Sequence, residues 1–172
     1  MTWAEFPDAA SPDMRLPEGF GTLPGPFRML LGLDGTLTRS LAFLSGSPVS
    51  VERVVLPGGK SGPRKVFLSV PEYGRLVFAR TRLLDAGACP DGGNLEVLMN
   101  GERAIGVAME AAYGPLLKEA FSIQCLSGPF DPDCREGDRS TWARSYRMKT
   151  SGGIVLSIEE FFLPALFRLA GA

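Results

Sequence analysis

Apolar and polar residues alternate with a period of two in several stretches of this chain, and helical periodicity is the weaker signal. The alternation is clearest in Gly153-Ile154-Val155-Leu156-Ser157-Ile158-Glu159-Glu160-Phe161-Phe162-Leu163-Pro164. Strand geometry there puts Ile154, Leu156, Ile158 and Glu160 on one side. Trp142 to Thr150 reads as the preceding strand, joined through Ser151-Gly152-Gly153. Leu76 to Leu84 is the best strand in the middle of the chain, preceded by the apolar run Val66 to Val70. Ser47 to Leu56 reads as a strand ending at Pro57-Gly58-Gly59. Residues 85–94 are turn material with the hairpin dipeptide Asp91-Gly92, and Val97 to Met109 reads as a strand pair pivoting on Asn100-Gly101.

Helical signals are short. Arg28 to Leu31 predicts a helix that stops near Gly32; Asp34-Gly35-Thr36 follows as a turn, with Thr36 as N-cap of a second short helix. Tyr113 to Phe121 predicts a helix starting at or near Pro115. Pro7, Pro12, Pro17, Pro24 and Pro26 forbid a long helix in residues 1–26 and predict an extended arm lying on a single domain of residues 27–172. Residues 127–141 read as a polar loop. Many hairpin cues and few helices predict an α+β fold around an antiparallel sheet of about six strands.

Composition narrows the chemistry more than the architecture. The chain has 172 residues, 45% of them hydrophobic and 22% charged, as expected of one globular domain. A net charge of −1, from 18 basic and 19 acidic residues, gives no general attraction for nucleic acid. No apolar run reaches membrane-spanning length, and the N-terminus lacks a basic start and an apolar core, so no membrane partner and a cytoplasmic location are expected. Cys89, Cys125 and Cys134 have no metal-ligand spacing and suit reduced thiols. There is no histidine, which removes Ser-His-Asp and Cys-His catalysis and His-based zinc sites. Chemistry must rest on carboxylates, Arg, Lys, Tyr, hydroxyls and backbone amides.

Glu160 continues an apolar strand face. Either it is a carboxylate aimed inward, which needs a partner, a proton or a ligand, or the strand end frays into water with Glu159 and Glu160 both solvated. Arg80 and Arg82 share a strand face with Leu76, Phe78 and Leu84. An arginine there can clamp a carboxylate bidentately, lie on a solvated edge, or pair with a buried glutamate. The mostly apolar opposite face (Val77, Ala79, Thr81, Leu83) favours the latter two. Trp142, Arg144, Tyr146 and Met148 share one strand face and Arg147 and Lys149 the other, and this basic and aromatic strand reads as having a solvated face more readily than as a nucleic-acid surface. Asp131, Asp133, Glu136 and Asp138 lack calcium-loop spacing and read as soluble loop. Residues 57–63 lack the ending of a phosphate loop and have no nucleotide role.

Trp142-Ala143-Arg144-Ser145-Tyr146-Arg147, the turn at Gly152-Gly153, and Glu160-Phe161-Phe162-Leu163-Pro164 together resemble the chorismate lyases, which release pyruvate from chorismate and make 4-hydroxybenzoate. Asp34-Gly35-Thr36-Leu37-Thr38-Arg39-Ser40-Leu41, Gly46-Ser47-Pro48-Val49-Ser50-Val51, Val77 to Leu84 and Gly114-Pro115-Leu116-Leu117 are similar to further segments of that family. The resemblance covers most of residues 30–164, whereas 85–112 departs from it. It implies an antiparallel sheet with helical flaps over an internal ligand cavity and no metal or organic cofactor. It also implies that Arg80 grips the ring carboxylate, helped by backbone amides near Leu37 and Leu116, with Glu160 at the hydroxyl end. Arg82 is the candidate second cation for the enolpyruvyl carboxylate. The expected activity is a cofactor-independent lyase of ubiquinone or secondary-metabolite biosynthesis, a monomer or weak homodimer acting on a small molecule. The alternative is a non-catalytic aromatic-acid sensor resembling the UTRA domains of transcription regulators, although residues 1–26 are too short and proline-rich for a helix-turn-helix.

Overall fold

The computed structural model describes residues 4–6, 16–54, 62–87, 92–128 and 141–171. Elements follow in the order β1 (Ala4–Phe6), α1 (Gly25–Gly32), α2 (Leu37–Ser45), β2 (Ser50–Arg53), β3 (Arg64–Val70) and β4 (Gly74–Asp85), then α3 (Gly92–Asn100) and α4 (Ile105–Tyr113). The chain closes with β5 (Leu116–Leu126), β6 (Thr141–Thr150), β7 (Val155–Phe162) and α5 (Pro164–Leu169). The fold is α+β: every strand pair is antiparallel, in the sheet order β1-β5-β6-β7-β4-β3-β2. Six strands carry the sheet, and the three-residue β1 extends its edge. No helix among the described residues is long and apolar enough to cross a membrane.

The two C-terminal strands form where alternation places them, with the turn at Gly152-Gly153 closed by Gly153 N–H donating to the Thr150 carbonyl. Helix α1 ends at Gly32, and Thr36 takes the N-cap position of α2, its carbonyl accepting from the amides of Arg39 and Ser40. Within the expected N-terminal arm, Glu5 pairs with Ser122 at the sheet edge, Phe20–Thr22 makes a short 3-10 turn, and α1 begins at Gly25. The loop readings at 57–61 and 129–140 lie outside the described residues, as do Cys89 and Cys134 and the acidic group Asp131, Asp133, Glu136 and Asp138.

Two expectations about element type are corrected. The pair about Asn100-Gly101 is helical, because Leu95, Leu98 and Met99 and then Ile105, Ala108 and Met109 repeat at helical spacing. Both sets pack on Met148, Leu156 and Ile158 of the sheet. The turn residues are where the sequence puts them, but they join helices. Conversely, the segment after Pro115 is strand, not helix. Gly114, at φ 80°, ends α4, and the following eleven residues find a free partner in the edge of β6. Burial on β5 loses its period because the register shifts between Glu119 and Ser122, around Ala120 at φ 51°. That bulge puts Lys118 opposite Met148 but Ile123 opposite Arg144, so even positions before it and odd positions after it share one face.

The core divides about the sheet. Phe27, Leu31 and Leu41 of α1 and α2 pack with Val66, Ala79, Phe162 and Leu166. The α3–α4 helices cover the β6–β7 end, and Phe67, Phe78 and Phe161 fill the reverse face. Where β4 leaves the sheet, Gly87 at φ 57° lies against the β6–β7 turn, and a Cβ there would stand 2.5 Å from the Gly152 carbonyl oxygen. Left-handed strain and this overlap together predict that Gly87→Ala lowers stability by about 2–4 kcal/mol in chemical denaturation.

Candidate functional site

Strand alternation selects the floor of a cavity of about 180 Å³. Across the central strands, Arg64, Thr81, Ile158 and Tyr146 fall on one row, and Val66, Ala79, Glu160 and Arg144 on the next. Lys118 and Met148 continue the floor on β5 and β6. The roof comes from two helix starts: Thr36, Leu37 and Thr38 at α2, and Ala104, Ile105 and Gly106 at α4. Neither N-cap side chain bonds its helix. First-turn amides lack intrahelical acceptors, and the helix dipole adds positive potential, so both starts favour an anion in the cavity.

Three cations stand around this space, each held differently. Arg144 is fully buried. Its Nε donates to Glu160 Oε2 at 2.5 Å, and its Nη1 donates to the carbonyls of Leu30 and Leu33 at 2.6 and 2.9 Å. It therefore neutralises Glu160 and ties the end of α1 to the sheet. Arg64 is 5% exposed and donates through Nη2 to the carbonyls of Gly101 and Arg103, while its Nε has no hydrogen-bond partner among the described residues. Burial, and then the charge of Arg53, push its guanidinium down to about 10. Lys118 Nζ donates to the Gly35 carbonyl at 2.6 Å, strapping the α1–α2 turn to β5. Its ammonium is lowered by burial first and by Arg144 second. No carboxylate pairs with Arg64 or Lys118 among the described residues, so a bound anion would relieve both.

Glu160 reaches the floor of the cavity, 6% exposed, where Tyr146 donates its phenol proton to Oε1 at 3.3 Å. Of the two readings of Glu160, the inward one describes its position. Tyr146 stacks on Phe121 with centroids 5.0 Å apart and planes 8° from parallel, and burial raises its phenol well above the usual value. Arg53, outside the cavity, donates twice to Asn100 at 2.9 Å, so two arginines hold the α3–α4 connection over the site.

The other predicted residues are placed as follows. Leu37 and Leu116 line the cavity. Arg80 does not, and its expected grip on a ring carboxylate is corrected. Its neighbours Ala79 and Thr81 face the cavity, so Arg80 faces the other way. There it makes a two-pronged ion pair with Glu159 at 3.0 Å and lies 5.0 Å over the Phe161 ring. Arg82 shares that reverse face and is exposed. The residues missed are Arg64, Lys118, Tyr146 and the pairing role of Arg144. Trp142, Arg144, Tyr146 and Met148 form a buried face, not a solvated one, because α1 and the lid helices cover it. A basic residue opening an apolar strand, as in Arg64-Lys65-Val66-Phe67-Leu68, was the available signal for Arg64. Nothing local marks Lys118, whose side is decided by the bulge. No cluster of three metal-ligating side chains occurs among the described residues.

No protein-family model matches the chain, and neither does any curated protein. Two outcomes test the site's construction. Replacing Arg144 by Met leaves a buried carboxylate unpaired, and stability in urea should fall by about 3–5 kcal/mol. Arg64→Ala should weaken binding of benzoate-type anions by about 1.5–3 kcal/mol in calorimetry, while Arg80→Ala leaves that affinity unchanged.

Proposed function

We propose that this protein is a chorismate lyase-like enzyme that eliminates pyruvate from chorismate and yields a hydroxybenzoate, most simply 4-hydroxybenzoate. The observation that carries this reading is the cavity itself: Glu160 on its floor, Asp34 and Glu110 at its rim, two cations at its flanks that form no ion pair among the described residues, and two helix starts above. About 150 Å³ suffices for benzene in a protein interior, so about 180 Å³ suits a six-membered ring with small substituents, the size of the hydroxybenzoate product.

Chorismate is a dianion whose two carboxylates need separate cations. Arg64 on β3 and Lys118 on β5 flank the floor with β4, β7 and β6 between them, about 19 Å apart at their Cα atoms for ordinary strand spacing. The ring carboxylate is assigned to Arg64 and the α4 start, and the enolpyruvyl carboxylate to Lys118 and the α2 start. The carbons between them then lie over Glu160. Elimination breaks a C–O bond and a neighbouring C–H bond and leaves an aromatic ring, so the intrinsic driving force is large. Orientation of the dianion and management of one proton are what the site must supply.

Incubation of the pure protein with chorismate should release one pyruvate per aromatic product, followed by coupled lactate dehydrogenase and by ultraviolet absorbance. Tight hydroxybenzoate binding without turnover would move the assignment to a sensor or carrier.

A further inference from the structure

Tyr146 is unused by the account so far, although it is the cavity's most constrained polar side chain. The phenol and the Glu160 carboxylate come from adjacent strands on the same face of the sheet, 3.3 Å apart. They line the same cavity, so a bound ring meets both from one side. We propose that Tyr146 is the general acid of the elimination, with Glu160 as its base, the two acting on one face of the substrate ring. This inference rests on the lyase reading and extends it.

The step balances without a co-reactant. Glu160 removes the proton from the hydroxyl-bearing ring carbon, and that C–H electron pair becomes the new ring double bond. The ether C–O bond breaks, and its electron pair leaves on the enolpyruvyl oxygen, which takes the phenol proton of Tyr146. The proton now on Glu160 crosses the existing hydrogen bond to the tyrosinate, so the pair is reset after every turnover. Free enolpyruvate then tautomerises to pyruvate.

Three features of the surroundings suit this role. Burial, and then the charge of Glu160, raise the Tyr146 phenol well above its usual value, so it keeps its proton until charge develops on the leaving oxygen. Two cations lie against the ring, Lys118 Nζ 4.8 Å and the Arg144 guanidinium 5.6 Å from its centroid, and both stabilise a transient phenolate. The stack on Phe121 fixes the ring, so only the O–H need turn from Glu160 Oε1 to the leaving oxygen before transfer. Among the other donors in the cavity, Lys118 Nζ is assigned to the enolpyruvyl carboxylate, and Thr36, Thr38 and Thr81 are far weaker acids.

Tyr146→Phe keeps the ring, its stack and its cation contacts, and removes only the proton. The expected result is a kcat lower by about 10²–10⁴-fold, with 4-hydroxybenzoate affinity and thermal midpoint close to those of the unsubstituted protein. Incorporating 3,5-difluorotyrosine at position 146, which lowers the phenol pKa, should restore turnover and move the alkaline limb of the kcat profile to lower pH. Wild-type turnover matched by Tyr146→Phe overturns the acid role alone and leaves the lyase reading standing. Parallel loss of affinity and kcat in Tyr146→Phe also overturns it, in favour of binding. An inactive wild-type protein overturns both.

Discussion

The buried pair of Arg144 and Glu160 is the constraint around which the rest of the site is arranged. A carboxylate in the interior of a sheet is tolerated only if its charge is met and its lone pairs are used. Arg144 meets the charge from the neighbouring strand, and its second arm gathers the carbonyls at the end of α1. One guanidinium therefore compensates the acid and fixes the helix that leads into the cavity-lining turn 34–36. Such pairs contribute less net stability than their Coulomb attraction suggests. Their value here is positional, since Glu160 has one oxygen committed to Arg144 and the other beside Tyr146 at the cavity.

Polarity around the cavity is divided by the sheet. The floor holds an acid and a phenol in the middle strands, and Arg64 and Lys118, which form no ion pair among the described residues, stand on the flanking strands β3 and β5. The helix starts of α2 and α4 reinforce the positive flanks. Arg64 links site and cover, because its Nη2 holds the α3–α4 connection while its Nε has no partner among the described residues. The same sheet keeps Arg80 on the reverse face, where it pairs with Glu159. Two consecutive glutamates on one strand thus serve opposite faces, one structural and one facing the cavity.

Much of this was legible in the sequence. The alternation Ile154, Leu156, Ile158, Glu160 describes β7, and the same pattern sets which of two adjacent glutamates turns inward. Antiparallel strands in an α+β fold, the α1–α2 turn and the C-terminal hairpin follow from local patterns that tertiary packing reinforces. What failed did so for identifiable reasons. Short apolar runs such as Leu95 to Met109 fit both periods, and only packing on β6 and β7 decides for helix. β5 hides its period behind a one-residue bulge, so Lys118 cannot be assigned a face from parity. Arg80 shows the limit of face arguments, since both sides of β4 are apolar and alternation alone cannot say which side holds the cavity. The burial of Arg144 is not visible locally, because its partner is sixteen residues away and its cover comes from a helix more than a hundred residues earlier.

The central claim is that the cavity beneath α2 and α4 receives a small aromatic anion between Arg64 and Lys118, over Glu160. A crystal structure of the protein soaked with 4-hydroxybenzoate tests it most directly. The account predicts the ring inside this cavity, its carboxylate within hydrogen-bond distance of Arg64 or Lys118 and its hydroxyl at Glu160. A ligand found on the reverse face beside Arg80, or a cavity that stays filled by water at saturating ligand, would contradict it.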